Sequence, residues 1–216
     1  MLAVVFDMDG VLFDTQKVYS KTWMEVAGIL GIKDIEEPLF HCIGRNRADQ
    51  EIILKKYYPE GFPYDEFYHL KNVIFDRYIE EDGIPLMKGT RELLSYLNEM
   101  GAKTAIASSS RKDVVMHHVQ QTGLSGMFQK IVGGDMVLHS KPNPDIYLKA
   151  CDELGVNPAD TFAVEDSYNG VRAAAAAGMK TIMIPDMQPP TEEIDRLLFK
   201  RFNDLIELME YFKISN

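Results

Sequence analysis

Apolar positions along the chain follow two rhythms. Val4-Val5-Phe6 has no polar alternation, as expected of a strand buried on both faces of a parallel sheet, and residues 103–107, 131–132, 161–164 and 180–184 read as further strands. Between them, residues 91–100, 112–121 and 170–177, a segment ending at Gly155, and residues 192–198 and 205–212 carry the spacing of helices. Asn143 followed by Pro144 reads as an N-cap with proline at the first helical position. Five consecutive alanines, Ala173 to Ala177, read as a helix that approaches the sheet closely. Strand and helix alternating on this scale predict an α/β fold, a doubly wound parallel sheet.

One connection breaks the rhythm. After the first strand, helical patterning runs for about 70 residues, far beyond an ordinary βα loop. Val18, Trp23, Val26, Ala27 and Leu30 share one face of a helix over 15–30 that stops at Gly31, and helices over 48–58 and 64–79 flank Pro59-Glu60-Gly61-Phe62-Pro63. The expected organisation is a core domain from residues 1–14 and 85–216, with an all-helical domain, 15–84, inserted in it. The segments 14–16 and 83–88 join the two and serve as hinges.

The strand ends collect polar residues. Val4-Val5-Phe6 stops at Asp7-Met8-Asp9-Gly10, the second strand runs into Ser108-Ser109-Ser110-Arg111, and the fourth into Glu165-Asp166-Ser167, while Lys141 lies just ahead of a helix start. Each has an ordinary reading: an Asp-Gly turn, a helix N-cap at Ser108, a solvated lysine, loop acids. Together they fall at the carboxyl ends of one parallel sheet, where open α/β folds bind ligands, and that coincidence favours chemistry.

Composition narrows the class. The 216 residues, 46% hydrophobic and 26% charged, suit a soluble globular protein, and a net charge of -10 argues against nucleic acid or an anionic membrane surface as partner. Cys42 and Cys151 are far apart and belong to no metal-spaced group. The apolar start is interrupted by Asp7 and has no basic leader, and no run approaches the roughly 18 apolar residues of a spanning helix. A cytoplasmic monomer acting on a small molecule is the default expectation.

The motifs Asp7-Met8-Asp9-Gly10-Val11-Leu12-Phe13-Asp14, Ser108, Lys141-Pro142 and Glu165-Asp166-Ser167 resemble, in order and over nearly the whole chain, those of the haloacid dehalogenase superfamily. Within it the chain is similar to the small phosphatases and β-phosphoglucomutases, whose Rossmann-like core carries a helical cap. The resemblance implies a magnesium-dependent phosphatase of a small phosphorylated metabolite, a sugar phosphate by preference, working through an aspartyl-phosphate. Asp7 would be the nucleophile and Asp9 the general acid and base. Ser108, Ser109 and the backbone at Gly10 would hold phosphoryl oxygens, and Lys141 would offset charge. Mg2+ would be bound by Asp7, the Asp9 carbonyl, Asp166 and Glu165. The alternative is a hexose phosphate mutase, an isomerase, built on the same phosphoenzyme. A noncatalytic binding protein would be expected to have lost some of these acids, and all remain.

The cap sets the substrate in such proteins. Gly44-Arg45-Asn46-Arg47 resembles the mutases' phosphate-holding segment with Arg47 in the matching place, although an exposed arginine early in a helix is an equally good reading; Lys71 is a second cation of the same kind. Tyr19 and Trp23, one helical turn apart, either face the site or pack the cap, with packing favoured for Trp23. Tyr19 stands where the mutases carry a histidine that orients the general acid, which favours the phosphatase. His117 and His118 fall on a core helix, read as exposed, and offer no replacement.

Overall fold

The computed structural model describes residues 2–43, 45 and 47–215. Six parallel strands form one sheet in the order β3-β2-β1-β4-β5-β6: β1 (Ala3–Phe6), β2 (Lys103–Ser108), β3 (Lys130–Gly133), β4 (Phe162–Glu165), β5 (Lys180–Met183) and β6 (Lys200–Arg201). The strand order reverses at β1, which pairs with β2 on one side and β4 on the other, Phe6 lying opposite both Ile106 and Val164. Asp7, Ser108 and Glu165 therefore arrive side by side at the carboxyl edge.

The pleat divides the core. Val4 and Phe6 point to a bulky layer with Leu93 and Leu97 of α5 (Thr90–Glu99), Val115 and Val119 of α6 (Lys112–Gln121), and Leu208 and Phe212 of α10 (Leu205–Ser215). Val5 points to the opposite layer, where Ile146, Tyr147 and Ala150 of α7 (Asp145–Leu154) meet Ala173 and Ala174 of α8 (Tyr168–Ala176). The alanine run thus packs against the sheet, as its small side chains allow.

Four helices lie between β1 and α5: α1 (Thr15–Leu30), α2 (Glu36–Cys42), α3 (Arg47–Tyr57) and α4 (Tyr64–Asp82). Their apolar faces enclose a separate cluster built on Trp23, Val26, Leu54, Phe62, Phe67 and Ile74. The chain enters and leaves them along one paired strip. The Asp14 amide donates to the Pro85 carbonyl at 2.9 Å, and the Met87 amide to the Leu12 carbonyl at 3.0 Å.

Some elements differ from the expectation. The helix α2 was absent from it; Pro38 lies in its first turn, where no backbone donor is required. The closing helix over 192–198 is a single turn, α9 (Glu192–Asp195), and the exposed Lys200-Arg201 completes a sixth strand. Asn143 is not a cap: its side-chain amide donates to the Ser140 carbonyl at 3.0 Å, and α7 begins after Pro144.

Candidate active site

The catalytic edge is organised around one buried lysine. Lys141 is 2% exposed, and its Nζ reaches Asp7 Oδ1 at 2.5 Å, Glu165 Oε1 at 2.6 Å and the Ala107 carbonyl at 3.1 Å. Burial alone would pull its ammonium down, but the Asp7 and Glu165 carboxylates hold it above the usual lysine range. Glu165 is fully enclosed. Its Oε1 also accepts from the Tyr147 hydroxyl at 2.6 Å, and its Oε2 from the Ser167 hydroxyl at 3.1 Å and the Asp166 amide at 3.2 Å. Glu165 therefore anchors Lys141, with both oxygens already engaged. Its carboxylate lies where a side chain on the facing residue would be: a methyl on Gly170 would stand 1.8 Å from Oε1.

Asp7 carries the opposite imbalance. Burial first, then the charges of Glu165 and Asp9, raise its carboxyl to about 8 against the pull of Lys141. Asp166 is pushed well up by burial and by Glu165 and Asp7, and its Oδ2 is buried with no hydrogen-bond partner. Oxygens of Asp7, Glu165 and Asp166 lie within 4.8 Å of one another. Three hard oxygen donors beside one ammonium, one of them unpartnered, fit a divalent cation such as magnesium.

Asp9 faces the same space from the turn after β1. Its carboxylate accepts from the Thr15 hydroxyl, and Ser110 Oγ lies 3.5 Å from Oδ2. Burial raises its carboxyl, while the Thr15 bond and the charge of His118 oppose the rise. Gly10 plays a different part from the expected one. Its amide, expected to hold phosphate, donates to the Phe13 carbonyl at 2.8 Å. Its φ of +88° and the 2.4 Å that would separate an added methyl from Asp166 Oδ2 make it the residue that gives Asp166 room. Ser108 is buried, its Oγ accepting from the Ser110 amide at 3.1 Å, while Ser109 lies on the cavity wall.

Above this floor the helices enclose a cavity of about 880 Å³ whose wall includes Asp7, Asp9, Asp166, Tyr19, Lys71 and His118. The roof is pinned to the core by Ser140 Oγ donating to Asp49 Oδ2 at 2.6 Å, immediately before Lys141. Arg47 lines the cavity, but its guanidinium bonds Glu51 at 2.7 Å and Asp65 at 2.8 Å and lies 4.5 Å from the Tyr68 ring centre. Gly44 and Asn46 of the same segment lie outside the described residues. Lys71 makes no ion pair among the described residues; its Nζ sits 5.5 Å from the Tyr19 ring centre and 5.3 Å from that of Tyr68, and burial, with repulsion from Arg47, lowers it to about 8. Trp23 packs edge-on to Phe67 at 4.9 Å while still reaching the wall, and Tyr19 stacks on Phe75 at 4.4 Å.

The expectation for His118 is overturned. His117 is exposed, but His118 is 3% exposed and lines the cavity, because α6 turns that face toward Phe13 and the roof. Thr15, Tyr147, Ser110 and Gly170 were also not singled out. Tyr147 had a signal, an aromatic residue two places into the helix after Lys141; Thr15 and Gly170 had none beyond proximity to the motifs.

Comparison with known proteins agrees with this geometry. Residues 4–184 match the family model of the haloacid dehalogenase-like hydrolases. The chain is 31% identical to the phosphorylated carbohydrates phosphatase of Thermotoga maritima, over 84% of each chain. It is also 31% identical to the β-phosphoglucomutase of Bacillus subtilis, over 88% of this chain and 85% of that one. The crystal structure of CbbY from Rhodobacter sphaeroides in complex with phosphate superposes with a TM-score of 0.79 at 26% identity, over 96% of both chains. Among the described residues no helix is long and apolar enough to cross a membrane.

Proposed function

The chain belongs to the haloacid dehalogenase-like hydrolase family, and from that premise we propose that it is a magnesium-dependent phosphatase of a small phosphorylated metabolite, by preference a sugar phosphate. The observation that carries the reading is the pairing of Asp7 with Lys141 directly beneath a cavity that Asp9 also faces. A nucleophile, its counter-charge and an acid-base group converge on one volume.

Asp7 attacks phosphorus, and the bond from phosphorus to the ester oxygen breaks, leaving an aspartyl-phosphate. Lys141 opposes the burial that favours protonated Asp7, and the charge of a cation bound beside it would complete the ionisation this step needs. Asp9, whose carboxyl is raised, holds the proton that the departing alkoxide takes up, and its carboxylate then removes a proton from the water that attacks the phosphoenzyme. Inorganic phosphate leaves and Asp7 is regenerated. A magnesium ion held by Asp7, the Asp9 carbonyl and Asp166, with Glu165 behind them, would supply the further positive charge that phosphoryl oxygens require. The hydroxyls of Ser108 and Ser109 would hold the phosphoryl oxygens; Ser109 lines the cavity and Ser108 lies buried at the end of β2. The helical roof, residues 15–84, excludes water and selects the alcohol.

A hexose phosphate mutase is the second reading, supported by the likeness to the Bacillus subtilis enzyme. Against it, Asp9 is held by Thr15, while Tyr19 stacks on Phe75. Purified protein with magnesium, assayed on a panel of phosphate esters for both free phosphate and rearranged sugar, decides. Release of phosphate faster than isomerisation, even with glucose 1,6-bisphosphate added, is expected; dominant isomerisation establishes the mutase, and no turnover of any ester removes both.

A further inference from the structure

The mechanism leaves one buried polar group on the cavity wall unused. The His118 imidazole is 3% exposed, and its Nδ1 is enclosed without a hydrogen-bond partner. Nδ1 itself has no surface that a ligand can reach, but Nε2 is not enclosed and makes no hydrogen bond among the described residues, so on the wall of the cavity it is the nitrogen for which a ligand supplies the partner.

Its position identifies which part of the ligand. The ring lies against Phe75 of the roof, 6.2 Å between centres and 25° from parallel, while Phe13 stands perpendicular to it at 5.9 Å. Phe13 is in turn bonded into the turn that carries the acid, its carbonyl accepting from the Gly10 amide at 2.8 Å. The imidazole therefore sits at the Asp9 end of the cavity, and the two groups feel each other's charge. Asp9 serves the ester oxygen of the leaving alcohol. A neighbour of Asp9 meets the atoms next along that alcohol.

We propose that His118 hydrogen-bonds a hydroxyl on the carbon adjacent to the phosphate ester, making the enzyme selective for polyol and sugar phosphates over alkyl phosphates. A hydroxyl both donates and accepts, so it satisfies the imidazole in either tautomer. The aromatic neighbours leave the nitrogen edge as the polar feature the ring can offer. A site built to bond a substrate hydroxyl rejects the analogue lacking it, because its own polar atom is then left unpaired.

The proposal rests on the phosphatase reading, and the test separates the two. Wild type, His118→Phe and His118→Gln are assayed with magnesium on p-nitrophenyl phosphate, sorbitol 6-phosphate and 5-deoxysorbitol 6-phosphate. Wild type is expected to favour the hydroxylated hexitol ester by about tenfold or more in kcat/KM. His118→Phe is expected to abolish that preference by lowering turnover of sorbitol 6-phosphate alone, and His118→Gln to restore part of it. Equal turnover of both hexitol esters by wild type, an unchanged preference in His118→Phe, or hydrolysis of p-nitrophenyl phosphate without either hexitol ester overturns the inference while leaving the phosphatase standing. Hydrolysis of none of the three removes the phosphatase reading and the inference with it. Should His118→Phe fail to fold, the wild-type preference and its reduction in His118→Gln take its place, and an undiminished preference in His118→Gln overturns the inference.

Discussion

The floor and the roof of the cavity are built on different physical terms. On the floor, Lys141, Glu165 and Asp166 are at most 2% exposed, and Lys141 and Glu165 are held by bonds to other buried groups. In the roof, Arg47 bonds Glu51 and Asp65, and the Asp65 side chain is 98% exposed. Removing one member of a buried pair costs roughly 3–5 kcal/mol, whereas an exposed pair contributes about 0–1 kcal/mol. The contrast separates two tasks. On the proposed reading, the groups assigned to chemistry are fixed by buried partners, and those assigned to the substrate are held loosely enough to be exchanged.

Removing the proposed nucleophile, Asp7, without disturbing its neighbours is the harshest test of that division. Asp7→Asn is expected to lower kcat by about 10³-fold or more. Thermal melting should stay near or above wild type, because Lys141 keeps its bond to Glu165 and a carboxyl that burial raises to about 8 opposes folding when ionised. Retained activity, or collapse of the fold, would break the contrast. Gly170→Ala should damage both properties, since its methyl would stand 1.8 Å from Glu165 Oε1 and displace the anchor of Lys141. Circular dichroism and phosphate release should fall together, with melting lowered by about 5 °C or more; a variant with wild-type melting would show that the floor yields.

Charge on the floor can be read without mutation. Asp7, Asp9 and Asp166 all bind protons more tightly folded than unfolded. For such acids the folded chain holds more protons than the unfolded one above pH 3.8, so stability is greatest at low pH and falls as pH rises toward about 8. Metal-free protein should therefore melt a few degrees lower at pH 8.5 than at pH 6, and magnesium should flatten the slope; a metal-free optimum at pH 8.5 would contradict the assignment. Roof variants should have the smallest effects. Arg47→Ala is expected to raise KM about three- to tenfold with kcat nearly unchanged, and Asp65→Asn to alter neither kinetics nor melting measurably.

The same contrast governs what the sequence revealed. Asp7, Lys141 and Glu165 were legible because each closes a buried apolar run or precedes a helix, so chain order alone brings them to one edge. Gly170 was not, because its importance is a matter of facing Glu165 and such a contact leaves no periodic trace, while Tyr147 offered only an aromatic residue early in the helix after Lys141. β6 was missed because Lys200 and Arg201 are exposed and form no apolar run. Arg47 was expected either to meet the substrate or to be an exposed arginine early in a helix, and its ion pairs were not legible because they depend on how α3 and α4 pack. His118 was misread as exposed. It shares the buried face of α6 with Val115 and Val119, a spacing that was there to be read, and Phe13 and Phe75 of the roof enclose its ring.

The strip joining Asp14 to Pro85 and Leu12 to Met87 makes the roof a detachable module. A segment whose two ends lie one hydrogen bond apart adds no span that the sheet must accommodate, so it can be lengthened, shortened or replaced without moving β1 away from β2. Inheritance can then treat the two parts as separate lineages of change, the catalytic edge copied with little alteration while the insert is rewritten for a new alcohol. The stacking of Phe75 on His118 marks where a transplanted insert would have to be fitted again.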